Sequence, residues 1–243
     1  MKVWYESGHT LAGQAISGNR FRHMPFEYVW VDFGTFQVTQ EKPVPLNAAT
    51  IGRQKSLFCW VFKKWRRNLG AIGAATRGWL ACNDGSMEIA DFIHFDIIDG
   101  VPELTLIHVK ACGNDSVTRP VSIGDFEIVA SQAAKNLYFL DRQTTADEFC
   151  DFLGKGVKDA VFHNGVLKAR STMLKKLRHV GANYHRRVVI VQPRITKSAL
   201  AAARTGAKAK DQRIVQQLDL LLLGLKSKCM GFGADLVVIG DGC

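Results

Sequence analysis

The chain has 243 residues, 47% of them apolar, which is enough to bury a full core in one large domain or two small ones, and we read one. No apolar run approaches the ~18–20 residues that a membrane crossing needs, and M-K-V-W-Y-E-S-G-H-T carries no hydrophobic signal region, so membrane partners are excluded and a cytoplasmic protein is expected. The 32 Lys and Arg against 22 Asp and Glu give a net charge of +10, which favours a polyanionic partner such as nucleic acid.

Residues 1–25 show little periodicity and predict an irregular N-terminal arm, with a single domain over 26–243. Aromatic and β-branched residues from Phe26 to Gln40 predict a strand or hairpin interrupted at Gly34, and the prolines of K-P-V-P-L-N then break regular structure. Leu57, Phe58, Val61, Phe62 and Trp65 fall at helical spacing and predict a helix within 50–69, followed by a short strand around Trp79–Cys82. Two strands over 86–112 flank a D-G turn at Asp99–Gly100.

A polar loop leads into a helix over 124–141, where Asp125 is placed to cap free N–H groups. Further helix is predicted over 145–153 and 165–180, then a strand over 187–193 ended by Pro193. Helices near 198–203 and 210–228 and a last strand at 234–240 complete the chain. The six cysteines (Cys59, Cys82, Cys112, Cys150, Cys229 and Cys243) form no C-x-x-C pair and no zinc spacing, so reduced and mostly buried thiols are expected.

The hairpin holds an unusual amount of ionisable chemistry for a core element. Alternation puts Asp91 on one face with Ile89, Ile93 and Phe95, and His108 and Lys110 on one face with Leu104 and Leu106. If the D-G turn sets the pairing, Asp91 lies opposite His108 with Lys110 diagonal to it, whereas His94 and Asp96 point the other way. A carboxylate, an imidazole and an ammonium brought together suit a hard-cation and water site that works on phosphate. A structural alternative stays open: Asp91 as a buried acid paired with Lys110, His108 as a core histidine, Glu88 at the start of an exposed strand face and Gln132 as an ordinary helix residue.

Asp91 followed by His108-Val109-Lys110, with lysine 19 positions after the acid and an order of helix, three strands, helix, strand, resembles the PD-(D/E)xK nuclease superfamily. More narrowly, C-N-D-G-S-M-E-I-A-D, I-H-V-K-A, D-F-E-I-V-A-S-Q-A-A-K-N-L and V-V-I-V-Q-P-R-I-T-K-S-A-L are similar to nuclease domains attached to helicases in bacterial anti-phage and restriction systems. The resemblance spans roughly residues 26–240.

The resemblance implies an α/β fold with a restriction-endonuclease-like αβββαβ core, a mixed central sheet flanked by helices, and a domain that belongs to a longer multidomain protein. It implies Mg²⁺ or Mn²⁺ held by Asp91 and Glu88, with Lys110 as the signature lysine, His108 assisting, and Gln132 with Lys135 approaching substrate. The implied activity is endonucleolytic hydrolysis of DNA in antiviral defence. Expected partners are DNA and a helicase or sensor subunit, with self-association open. Lys63, Lys64, Arg66 and Arg67, and Lys175, Lys176 and Arg178, are read as phosphate-tracking surface, the alternative being solvated helix faces. Two departures stand out: His108 takes the place of an acid, and no acid lies within 50–69, where Gln54 is the nearest polar candidate. Both favour the rival reading, a nuclease-fold module that binds nucleic acid or a partner without cutting. A small-molecule α/β enzyme is disfavoured, because no strand is followed by a G-x-G-x-x-G or P-loop helix.

Overall fold

The computed structural model describes residues 2–4, 10–17, 25–65, 77–85, 88–141, 151, 159–180 and 184–243. The fold is α/β, built on a mixed eight-stranded sheet of order β4-β11-β10-β7-β6-β5-β8-β9. These strands are β4 (Val29–Val31), β5 (Trp79–Cys82), β6 (Phe92–Ile98), β7 (Val101–Val109), β8 (Val161–His163), β9 (Val166–Leu167), β10 (His185–Thr196) and β11 (Ala234–Asp241). β4, β11, β10 and β7 run parallel, and the remaining neighbours are antiparallel.

The register of the hairpin follows from its turn. Asp99 and Gly100 both have positive φ (49° and 80°), the backbone of a two-residue turn whose twist matches that of paired strands. It pairs Ile98 with Val101 and, without a slip, Phe92 with Ile107. Extending that register sets Asp91 opposite His108, as the sequence predicts. Asn164–Gly165 repeats the device between β8 and β9, with φ of 51° and 78°.

The sheet is covered on both faces, so its central strands are apolar on both sides. On one face Ile93, Leu104, Leu106, Val188 and Ile190 pack with α3 (Gly124–Asn136), α4 (Arg170–Val180), α5 (Lys197–Thr205) and α6 (Ala209–Gly231). On the other, Phe92, Ile107, Val109, Val189 and Val191 pack with α1 (Ala48–Ile51), α2 (Leu57–Lys64) and the segment around Phe33 and Val38.

Several elements differ from the sequence prediction. Within the arm, β1 (Lys2–Trp4), β2 (Thr10–Ala12) and β3 (Ala15–Ser17) form a three-stranded antiparallel sheet. Each strand is three residues long, too short for alternation to register. Only Val29–Val31 of the 26–40 run is strand, because this edge strand meets β11 over three residues and then turns. The single helix expected within 50–69 is two: Asn47 caps α1 with a reciprocal Thr50 contact, and the Ser56 hydroxyl caps α2 by accepting from Cys59 N–H.

The N-cap of α3 is Ile123, which makes no side-chain bond; Asp125 lies in the first turn, where its charge suits the helix N-terminus, 3.8 Å from Arg194. Helix over 165–180 begins only at Arg170, since Asn164–Gly165 is turn and 166–167 is strand. The stretch 145–153 lies outside the described residues except for Asp151, as does Cys150; the described cysteines are free thiols. No described helix is long and apolar enough to cross a membrane.

Pro193 does not end β10, which continues to Thr196 through an irregularity in its pairing with β11 after Val191. A strand tolerates proline at such a break. The carbonyl of Pro193 is taken by Arg119, which is 1% exposed and also donates to the Ser116 carbonyl and the Asp241 carboxylate. One buried guanidinium thus ties the ends of β10 and β11 to the loop that follows β7. Removing one partner of such a pair strands the other in a dry site. Asp241→Ala is expected to lower stability by about 3–5 kcal/mol in urea unfolding, and a change below 1 kcal/mol would show that the pair is not a fastening.

Candidate functional site

The hairpin and its two flanking loops make a cavity of about 280 Å³ lined by Glu41, Lys42, Asp84, Gly85, Glu88, Asp91, Val109, Lys110 and Gln132. It lies where β7 ends, at the carboxyl side of the parallel strands, the edge at which α/β sheets habitually bind ligands. Asp91 sits one residue before β6 begins, and its carboxylate accepts the Val109 N–H at 2.7 Å. Lys110 follows β7 directly and continues the ladder, its N–H donating to the Val191 carbonyl at 3.0 Å.

The loop between β5 and β6 is folded around Asn83. Its side-chain oxygen accepts the Ile89 N–H at 2.9 Å, and its own N–H donates to the Asp91 carbonyl at 2.9 Å. The Glu88 side chain accepts the Gly85 N–H at 3.2 Å, and Asn136 on α3 donates to the Glu88 carbonyl at 3.3 Å. This closure brings one carboxylate oxygen each of Asp84, Glu88 and Asp91 within 4.8 Å of one another.

Glu41 supplies a further carboxylate from the opposite wall. The N–H groups of Leu57 and Phe58, at the start of α2, donate to the carbonyls of Gln40 and Glu41 at 2.9 Å each, fixing this segment against the helix. Glu41 then pairs with Lys110 at 3.0 Å and accepts the Ala111 N–H at 3.3 Å. Lys42 reaches the other way and donates to both carboxylate oxygens of Asp84 at 3.0 Å.

Around one cavity, then, four carboxylates face two ammonium groups. Burial holds the Asp91 carboxyl well above the usual carboxylate range, and Glu88, Glu41 and Asp84 push it further in the same direction against the Val109 N–H. Glu88 is raised as well, by burial first and then by Asp84, with the Gly85 N–H and Lys42 opposing. Burial would lower Lys42, but its bond to Asp84 and the charges of Asp84, Glu41 and Asp91 leave it raised. Burial thus disfavours the ionised form of these carboxyls, and a hard cation with oxygen ligands would favour it. The three carboxylates could therefore hold a metal ion.

Of the residues expected at the site, Asp91, Glu88, Lys110 and Gln132 line this cavity. His108 does not. The register sets it opposite Asp91, but the acid reaches along the strand end to Val109, while the imidazole is 2% exposed and its Nε2 is buried without a hydrogen-bond partner. Burial alone lowers its pKa to about 4. Lys135 is exposed on α3 three residues from Gln132, outside the lining.

Lys63 and Lys64 are exposed in the last turn of α2, and Lys175 and Lys176 on α4, while Arg66 and Arg67 lie outside the described residues. Arg178 is 3.7 Å from Asp151. Gln54 is structural, accepting from Val44 N–H and donating to its carbonyl. His94 packs edge-on against Trp65 on the opposite face, its Nε2 2.7 Å from the Arg77 carbonyl.

Sequence reasoning missed Asp84, Lys42 and Glu41. Asp84 carried a signal, since it precedes Glu88 by four and Asp91 by seven positions, yet N-D-G-S reads first as a turn. Glu41 and Lys42 precede Pro43 in a segment without periodicity, and only tertiary packing brings them here. No protein-family model matches the chain, and no curated protein and no solved structure matches it.

The buried groups make stability depend on pH. His108 takes a proton near 6.5 in the unfolded chain and near 4 when folded, so its contribution is whole above 6.5 and is lost as pH falls toward 4. His108→Leu is expected to reduce the stability lost between pH 8 and pH 5 by about 2 kcal/mol; an unchanged acid limb in urea titrations would contradict the burial. Asp91 has the opposite sign, because a raised carboxyl pKa withdraws stability as pH rises through it. In EDTA, Asp91→Asn is expected to melt higher than the parent chain at pH 8, with the gap narrowing at pH 5; a lower melting temperature at pH 8 would show that the charge is compensated.

Proposed function

We propose that the chain is a metal-dependent nuclease that hydrolyses phosphodiester bonds in DNA, with Asp91, Glu88 and Asp84 holding Mg²⁺ or Mn²⁺. The observation that carries this reading is the acidic trio on the same cavity as Lys110, built from the end of β7 and the approach to β6. The arrangement of the sheet supports it too. α2, β5, β6, β7, α3 and β10 follow one another as helix, three antiparallel strands, helix and a strand parallel to β7, interrupted only by β8, β9 and α4 among the described elements. With the 3-10 turn at Leu137–Leu140 also set aside, this is the order that the PD-(D/E)xK resemblance implies for a restriction-endonuclease-like core.

A divalent cation in the trio would neutralise charge on the scissile phosphate and lower the pKa of a water. The chain's own groups do the rest. Asp91 is held rigid by the Val109 amide, so its second oxygen stays directed without further ordering. Lys110 offers N–H donors at the mouth and orients the attacking water or the phosphate, its backbone fixed by the bond to β10 and its ammonium by Glu41. Gln132, exposed on α3, offers an amide to the substrate backbone. The acid missing from α1 and α2 has a counterpart in Glu41, which positions Lys110. His108 is given no part in the chemistry. Attack in line by water on phosphorus would expel the 3′ oxygen and leave a 5′-phosphate, as the resemblance suggests.

The net charge of +10 and the exposed lysines of α2 and α4 suit the polyanion, and defence against phage, with a helicase or sensor as partner, is the setting that the resemblance suggests. One specific observation favours a binding module instead: a neutral, buried His108 stands where the pattern has an acid.

Cleavage decides between them. With Mg²⁺ or Mn²⁺ the chain is expected to cut single- or double-stranded DNA, and Asp91→Ala to lose about 10³-fold or more and Lys110→Ala about 10²-fold. DNA binding that ignores metal, with no cleavage under either cation, would select the binding module. Equal cutting by Asp91→Ala would refute the assignment of the site.

A further inference from the structure

We infer that Lys42 is a built-in counter-ion of this centre, seated on Asp84 in the cation-free protein and exchanged for the divalent cation. The inference rests on the cation-centre reading above. Its ground is that the structure already holds a cation at the acidic trio: the Lys42 ammonium lies 3.0 Å from both oxygens of Asp84, one of the three ligand groups. An ammonium that takes both oxygens of a carboxylate occupies the positions a metal would use. Two cations drawn to one carboxylate repel each other, so a divalent ion on Asp84 disfavours the ammonium there.

The remaining connections distinguish Lys42 from Lys110. Lys110 is paired with Glu41, which is not in the trio, so a cation can enter without disturbing that pair. Lys42 must let go. The backbone on either side of it does not need to move, because Gln40 and Glu41 are fastened by the Leu57 and Phe58 N–H groups, and Gln54 is bonded to Val44 beyond. The side chain of Lys42 is 42% exposed while that of Asp84 is 13% exposed, so the lysine is the partner free to swing into solvent. There it remains at the rim of the cavity as a donor for a phosphate. An exchangeable ammonium also accounts for how four carboxylates are tolerated in one cavity before a cation arrives.

Calorimetric titration of Mn²⁺ into the full chain tests this directly, using wild type, Lys42→Met and Lys42→Arg. Removing the competitor is expected to tighten Mn²⁺ binding about fivefold, the factor one partly exposed ion pair is worth. Lys42→Arg, which keeps the charge, is expected to bind like wild type. Melting curves supply a second readout: without cation Lys42→Met is expected to melt below wild type, and Mn²⁺ to raise its melting temperature by more. Binding by Lys42→Met that equals or falls below a measurable wild-type affinity overturns the exchange and leaves the cation centre standing. No Mn²⁺ binding by either chain overturns the centre and the exchange together.

Discussion

A carboxylate almost sealed from water at the free end of a β-hairpin is the constraint around which this site is built. Asp91 is buried, accepts a single backbone N–H from Val109, and has Glu41, Asp84 and Glu88 for neighbours. Burying a charge that is not fully paired is among the more expensive arrangements a fold can hold. Here the surroundings offset part of it. The Asn83-centred loop fixes the distances, and Lys42 and Lys110 supply two positive charges.

Position follows from rigidity elsewhere. The turn at Asp99–Gly100 sets the pairing of β6 with β7, and the parallel ladder with β10 extends to the Lys110 N–H. Arg119 clamps the neighbouring strand ends through Pro193 and Asp241. The cavity is therefore held by the sheet, with Lys42, Lys110 and Gln132 among the side chains that line it.

Local rules were the legible part. A D-G dipeptide between β-branched runs marks the turn, and a pairing set by that turn brings Asp91 near Lys110, in keeping with the observed register. Helical periodicity marked α3 and the long α6 within a few residues. Illegible parts depended on contacts distant in sequence. Glu41 and Lys42 come from a proline-rich stretch some 40 residues before Asp84, with no pattern to join them. Alternation placed His108 on the correct face yet could not show that the Asp91 carboxylate turns to the Val109 amide instead. Three-residue strands near the N-terminus carry too few side chains for a period.

The most direct measurement is a crystal structure of the chain with Mn²⁺, read by its anomalous signal. The account expects one strong peak bound by carboxylate oxygens of Asp91, Glu88 and Asp84, with the Lys42 ammonium moved off Asp84. Absence of a peak at saturating Mn²⁺, or one held by other residues while Lys42 stays on Asp84, would contradict it.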